Sequence, residues 1–333
     1  MLPPRVAVIV PCLNEAKYIV SMLDGLIAQV GVQFAVVLAD GGSTDGTLEI
    51  TQQYCELHPE LRLSVVHNEK RSIPAGLNCA IRAAVADIII RMDAHSIPAQ
   101  DYVHTCIETL KQSGAAVVGG VWQIRPGGPG PVALAIALAV SSRFGAGGAH
   151  YRHFDLQDSI QTDTVPFGCF KRDTWTTIGG FDEKLLSNED YDFNFRVMKA
   201  GGVILLNPRI QCIYHARESL RGLAKQYIRY GWWKAQMLKR HPASLKFRQM
   251  IPAAWVLASV CLPILGLLSN EIASAALIAW LAYFAAVTVA TISTGSRGGS
   301  RVYAPLFASY VAVHFAWGVA FWFGLLQRHN PKA

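Results

Sequence analysis

Val6-Ala7-Val8-Ile9-Val10 runs directly into Pro11-Cys12-Leu13-Asn14-Glu15, and the pattern returns when Ala35-Val36-Val37-Leu38-Ala39 runs into Asp40-Gly41-Gly42-Ser43-Thr44-Asp45-Gly46. Short, branched and wholly apolar runs of this kind are strands buried on both faces. Residues 63–66 and 88–90 repeat it. Between the runs, residues 16–29, 44–54 and 74–85 are each long enough for a crossover helix. This βαβαβαβ alternation predicts an α/β protein with a Rossmann-like, mostly parallel sheet. Ligands of such sheets bind outside the carboxyl ends of the strands. The residues that close the strands therefore matter most: Pro11 to Glu15, Asp40 to Gly46, and Asp93-Ala94-His95. Three acidic clusters converge on one edge.

The 333 residues are 52% hydrophobic and only 16% charged, which excludes a disordered chain and calls for a membrane segment. Thirty Lys and Arg against 23 Asp and Glu leave a net charge of +7, directing attention to phosphate-bearing ligands, nucleic acid or an anionic bilayer. The seven cysteines are scattered, without the spacing of a disulfide framework or a zinc site. The N-terminal apolar run is too short for a signal peptide, so the N-terminal part is expected to be cytosolic.

Beyond Pro252 the charge nearly vanishes. Residues 251–269, 272–293 and 302–326 contain no acid, Lys or Arg, and each is long enough to cross a bilayer. Three transmembrane helices are expected. The turn at Ser269 to Glu271 lacks Lys and Arg whereas the next one carries Arg297 and Arg301, which places the second turn in the cytosol and the tail outside. Arg328 and Lys332 in that tail run against the rule. Just before the first span, residues 216–250 hold nine Lys or Arg against the single acid Glu218, interleaved with Tyr227, Tyr230, Trp232 and Trp233. That composition suits an interfacial helix on anionic lipid better than a nucleic-acid surface, and no nucleic acid is expected as a partner. Upstream, a strand is expected over 115–122, a loop over 125–131, a buried or interfacial helix over 132–140 and a Gly-rich loop over 145–148. Another strand is expected over 164–170 and a helix over 188–200.

Neither a dinucleotide G-x-G-x-x-G nor a phosphate loop ending in Lys-Ser or Lys-Thr is present. Acids at strand ends can instead bind a base or ribose directly and a diphosphate through a divalent cation, which describes a nucleotide-sugar site. In isolation, Asp40 to Gly46 also reads as an Asx turn and helix cap. Ser187 followed by Asp190 reads likewise as an N-cap, and Asp192 with Arg196 as an i,i+4 pair.

Pro11-Cys12-Leu13-Asn14-Glu15, Asp40 to Thr47, Gly179-Gly180-Phe181-Asp182-Glu183 and Asn188 to Arg196 together resemble the inverting glycosyltransferases of family 2, of GT-A fold. Within that family the chain is most similar to bacterial exopolysaccharide glucosyltransferases of the succinoglycan type. The resemblance implies a cytosolic GT-A domain over 1–215, a basic interfacial linker over 216–250 and a membrane anchor over 251–326. It implies that Pro11, Asn14 and Glu15 line the nucleotide pocket, that Asp40 contacts uracil, and that Asp93 lies beside ribose and diphosphate. Asn68, Arg71 and Asn78 fall where the family places donor contacts. His95 stands where the family has the second Asp of a D-x-D motif. Imidazole is a competent ligand for Mn²⁺, so Asp93, His95 and His215 form the expected ligand set for Mg²⁺ or Mn²⁺. Asp190 corresponds to the family's general base, and Glu189 would orient the acceptor. The implied reaction carries a sugar, glucose by resemblance, from a UDP-sugar to a polyprenyl-diphosphate-linked saccharide. Its setting would be exopolysaccharide biosynthesis at the bacterial inner membrane, with a multi-pass anchor. A polyprenyl-phosphate sugar synthase and a catalytically dead nucleotide-sugar-binding membrane protein are the alternatives.

Overall fold

The computed structural model describes residues 5–327, so Arg328 and Lys332 lie outside the described residues. Strands β1 (Val6–Cys12), β2 (Ala35–Asp40), β3 (Leu63–His67) and β4 (Ile88–Arg91) alternate with helices α1 (Ile19–Ile27), α2 (Thr47–Leu57) and α3 (Ile73–Ala83). The chain continues through β5 (Ser96–Pro98), α4 (Tyr102–Ser113), β6 (Val117–Arg125), α5 (Pro131–Ser141) and α6 (Arg143–Ala146). Next come β7 (Ile160–Gln161), β8 (Cys169–Lys171), α7 (Arg172–Ile178), α8 (Glu189–Lys199) and β9 (Ile204–His215). Four longer helices follow: α9 (Leu220–Arg240), α10 (Phe247–Leu265), α11 (Asn270–Gly295) and α12 (Tyr303–Leu326).

The sheet order is β3-β2-β1-β4-β8-β6-β9-β5, with β7 added on β9. The first four strands are parallel, as their apolar runs require, and β1 is buried along its whole length. β8 pairs antiparallel with β4 and β6, and β9 pairs antiparallel with β5 and β7. The expected strand over 164–170 forms only at its end, because Pro166 donates no hydrogen bond and Phe167 takes φ 51°, turning the chain before Cys169. The expected Gly-rich loop over 145–148 is partly helical, since α6 runs into it from Arg143 and is capped by the Ser142 hydroxyl. The 12-residue β9 alternates buried and half-buried positions, the signature of a strand with one covered face.

The chain forms two compact units. One holds the residues up to Gln123 together with His153–Tyr214, and the other holds Ile124–Arg152 together with the chain from His215 onward. Residues 124–152, which the sequence assigns to the first domain, thus group with the C-terminal helices.

In the second unit, α9 runs beside α12 in the same direction. Leu223 and Tyr227 lie with Val313, Ala235 lies with Phe321, and Lys239 Nζ donates to the Gly324 carbonyl at 2.7 Å. The approach is close enough that a Cβ at Gly231 would overlap the Trp317 carbonyl oxygen, so only glycine fits there. On the first half of α12, Ala135 and Ala139 of α5 pack with Leu306 and Tyr310. Helices α10 and α11 form an antiparallel hairpin, with Gly266 against Ala273 and the Trp255 ring stacked on Tyr283 at 4.5 Å. All three C-terminal helices are long and apolar enough to cross a membrane.

Within the first unit β6 approaches β9 so closely that a Cβ at Gly120 would overlap the Ile210 carbonyl. Gly120→Ala should therefore strain the sheet by about 1–3 kcal/mol. A thermal melt should show a loss of roughly 2–4 °C per kcal/mol, and an unchanged melt would disprove this tight contact.

Candidate active site

The carboxyl ends of β1, β2 and β4 lie side by side, with Cys12 opposite Asp40 and Ile9 opposite Arg91. At the end of β1, Asn14 adopts φ 57°, a left-handed turn that Asn tolerates, and locks onto the loop after β2. Its amide donates to Ser43 Oγ at 2.8 Å, and its side-chain Oδ1 accepts from the Thr44 amide at 2.9 Å. Glu15 and Ala16 amides donate to Thr47 Oγ1 and Asp45 Oδ2. The Thr47 hydroxyl bond, with backbone amide bonds from Ala16, Thr47 and Asp45 itself, lowers the Asp45 pKa.

Asp40 is buried and its carboxylate organises its own loop. Oδ2 accepts from the amides of Gly42 and Ser43, and Oδ1 accepts from the Ser43 hydroxyl at 2.6 Å. The Asx-turn geometry is thus present. Arg71, at φ 55°, reaches back to the Gly42 carbonyl, and the Asn68 amide donates to the Asp40 carbonyl at 2.7 Å. Asn78 is saturated: Nδ2 donates to the Phe181 carbonyl and Glu183, while Oδ1 accepts from Trp175 Nε1 and the Phe181 amide. Its side chain ties α3 to the segment after α7, which leaves no polar atom for a donor sugar.

The densest electrostatic feature surrounds Arg91, a residue absent from the sequence-derived candidates. Its side chain is 3% exposed and contacts Asp93 Oδ1 at 3.0 Å, Glu189 Oε1 at 2.8 Å and Asp190 Oδ1. One guanidinium therefore gathers an acid from the end of β4 and both acids from the start of α8. Burial, together with the repulsion of Glu189 and Asp93, outweighs the pull of Arg91 and pushes the Asp190 pKa up to about 7. About a fifth of the Asp190 side chain remains exposed (21%). The Arg91 guanidinium is held well above its ordinary range, since the three carboxylates outweigh the opposing effect of burial. Asn188, at φ 65°, caps α8 with no side-chain bond, so the Ser187 cap expected from the sequence is not what starts this helix. Asp192 pairs with Arg196 at 2.8 Å, as the i,i+4 spacing predicts, and Arg196 also donates to the carbonyls of Ile178 and Gly180.

His95 Nδ1 lies 3.0 Å from Glu15 Oε1, joining the loop after β4 to the loop after β1. An aromatic chain links this pair to Arg91: the guanidinium lies over Phe167, Phe167 adjoins Trp122, Trp122 stacks on Tyr214 at 4.2 Å, and Tyr214 adjoins His95. No periodicity points to that wall, because its members come from three separate segments. His215 belongs to the second unit. Among the described residues no three His, Cys, Asp or Glu side chains come together as a metal-ligand group.

An acidic, strand-end site on a sheet of this order is that of a nucleotide-sugar enzyme, and residues 7–173 match the model of Glycosyl transferase family 2. The chain belongs to that family and is a glycosyltransferase. It is 31% identical to the succinoglycan biosynthesis protein ExoA of Rhizobium meliloti (strain 1021), over 96% of this chain and 94% of that protein. It is also 28% identical to the dolichyl N-acetyl-alpha-D-glucosaminyl phosphate 3-beta-D-2,3-diacetamido-2,3-dideoxy-beta-D-glucuronosyltransferase of Methanococcus voltae, over 71% of this chain and 74% of that one. Among solved structures, a mannosyltransferase from Pyrobaculum calidifontis in complex with GDP-Man and Mn²⁺ superposes with a TM-score of 0.58. It is 24% identical, covers 94% of this chain and 86% of its own, and shares the GT-A fold.

The Arg91 cluster has a direct consequence for stability. Arg91→Met would leave three carboxylates crowded without a cation, and breaking a buried ion pair on one side typically costs about 3–5 kcal/mol. The loss should be larger at pH 8 than at pH 5.5, because protonation relieves the repulsion. Urea unfolding at both pH values would show this, and an equal loss would remove the cluster from the stability account.

Proposed function

We propose that this enzyme transfers a sugar, glucose, with inversion from a UDP-sugar to a polyprenyl-diphosphate-linked saccharide in exopolysaccharide assembly at the bacterial inner membrane. The observation that carries the reading is the placement of Asp190, half-buried beside Arg91 with a pKa raised to about 7, at the carboxyl edge of a family 2 sheet. The succinoglycan relative supports the pathway class, and the dolichyl-linked substrate named for the Methanococcus relative supports a lipid-borne acceptor. The apolar helices anchor the chain where such a lipid resides.

In this mechanism the loops after β1 and β2 seat the nucleotide: Pro11, Asn14 and Glu15 line the pocket, Asp40 holds its loop open towards uracil, and Asn68 and Arg71 flank the donor. The Trp122 and Tyr214 rings give a sugar a face to stack on. Asp190 accepts the proton of the acceptor hydroxyl as its oxygen bonds to the anomeric carbon, and the carbon–oxygen bond to UDP breaks with its electron pair leaving on the diphosphate. Glu189 orients that hydroxyl. Arg91 holds both acids in place.

The residues present suit a divalent cation in part. Asp93, one oxygen of which Arg91 already engages, and the His95 ring that Glu15 orients are the residues that would hold an ion. His215, the third residue of the expected ligand set, belongs to the second unit. When bound, Mg²⁺ or Mn²⁺ would neutralise charge on the leaving diphosphate. EDTA should then abolish turnover. Calorimetry should show that Mn²⁺ strengthens UDP binding in the wild type and no longer does so in His95→Ala. Full turnover in excess EDTA would overturn this role.

Asp190 gives the sharper test. Because folding raises its pKa from the ordinary 3.8 to about 7, its ionised form is costlier in the folded than in the unfolded chain. Stability from this group should fall as pH climbs between those values, while turnover, which needs the carboxylate, should rise through about 7. Asp190→Asn should abolish that rise and lower turnover by about 10²- to 10⁴-fold with UDP affinity nearly unchanged, and its melting should lose the fall with rising pH that ionised Asp190 causes in the wild type. A variant retaining more than about a tenth of wild-type turnover would refute the base.

A further inference from the structure

Within the second unit, the loop ahead of α5 and the turn that joins α11 to α12 come together. The loop reads Arg125-Pro126-Gly127-Gly128-Pro129-Gly130 and lies against the chain just ahead of α9. A Cβ at Gly127 would overlap the Ala216 carbonyl oxygen, so only glycine fits there. From this anchor α5 runs onto α11 and α12. Ala135 and Ala139 pack with Val287, Val302, Leu306 and Tyr310, and the Tyr310 hydroxyl lies 2.9 Å from Ser142 Oγ and 3.0 Å from Thr294 Oγ1. Gly298 in the turn is packed against Leu138 of α5. Two segments distant in sequence are thereby fixed to each other.

Between them is an open cleft of about 410 Å³, a volume within the range of small-molecule sites. Pro126, Pro131, Leu134 and Val302 give it apolar walls, and Arg301 is the one polar side chain of its lining. Arg301 is exposed, and among the described residues no hydrogen bond or ion pair engages its side chain. The acids of this unit are Glu218 and Glu271 alone. Glu271 stands at the opposite end of α11, and Glu218, which lies against Gly128, makes no ion pair among the described residues. A cation that folding leaves without an acid, at the edge of an apolar cleft, suits an anionic group from outside the chain. The rest of the lining narrows the chemistry of that group. A nucleotide or a saccharide needs rings to stack on or polar groups to meet its hydroxyls, and the cleft offers neither. One guanidinium on apolar walls suits a phosphate carried on a hydrocarbon chain. The cleft also lies at the junction of two helices long and apolar enough to cross a membrane, where such a chain is within reach.

We propose that this cleft binds the diphosphate and the first isoprene units of a polyprenyl diphosphate, with Arg301 on the phosphate and Pro126, Pro131, Leu134 and Val302 along the hydrocarbon. The proposal rests on the lipid-borne acceptor argued above. It assigns the lipid end of that acceptor to residues of the second unit, whereas Asp190 and Glu189 of the first act on the saccharide hydroxyl.

The test is calorimetry on the full chain in a neutral detergent, with farnesyl diphosphate as the probe and saturating UDP present so that the donor site is filled. The wild type should bind this probe more tightly than inorganic diphosphate, which lacks the hydrocarbon, and equal affinity for the two would overturn the role of the apolar walls. Arg301→Gln should weaken farnesyl diphosphate about 10- to 100-fold, the loss expected when one charged hydrogen-bonding partner is removed, with melting unchanged. Arg297→Gln, in the same turn but outside the cleft, should leave binding nearly unchanged. No loss in Arg301→Gln, or an equal loss in both variants, would overturn the site and leave the acceptor reading standing. Displacement of the probe by an equal concentration of phosphatidylglycerol would do the same, because the cleft would then be a general headgroup site. A wild-type chain that binds no farnesyl diphosphate would instead remove the lipid-diphosphate acceptor itself.

Discussion

A single guanidinium joins the two halves of the sheet's carboxyl edge. Arg91 ends the strand that pairs with β1 on one side and β8 on the other, and it holds Asp93 and the first two acids of α8. Without a cation at that point, three carboxylates would repel one another in a setting largely closed to water. With it, the group carries two net negative charges when all three acids are ionised, and burial makes the last proton harder to remove. The cluster is therefore neither a neutralised ion pair nor a set of independent acids. It is an arrangement in which one carboxyl is poised near neutral pH because the arginine cannot satisfy all three.

The local fold makes this possible. Four parallel strands bring their carboxyl ends to one edge, but the acids of α8 enter only because the chain reverses into antiparallel β8 and returns through α7. Asn78 fixes that return by using all its polar atoms on Trp175, Phe181 and Glu183, and Arg196 fixes it from the other side through the carbonyls of Ile178 and Gly180. These residues touch no proposed substrate position. Their contribution is to hold Glu189 and Asp190 at the distance at which Arg91 can reach both.

The parallel strands and the acids that close them were legible because apolar runs and strand ends are local signals. Asp40 shows a local signal realised: the Asx turn that its neighbours suggest is formed, and it sits at the carboxyl end of β2. Arg91 was not legible, since after Ile88-Ile89-Ile90 it looks like the polar end of a strand, and the acids that need it lie nearly a hundred positions away. The Phe167, Trp122 and Tyr214 wall escaped for the same reason. Where sequence periodicity identifies an element it says little about which distant element supplies the opposing charge.

The C-terminal helices carry that point further. Composition alone ranks α10, α11 and α12 together, because hydropathy averages over a helix and ignores its neighbours. Packing ties them together, with Phe315 of α12 stacked near Trp280 of α11 and Gly318 against Val256 of α10, and adds α9 as a further neighbour of α12. The close contact at Gly231 fixes α9 beside α12, so the charged flank of α9 accompanies α12 wherever the helices sit. The constraint on membrane position therefore comes from the pair rather than from either helix alone.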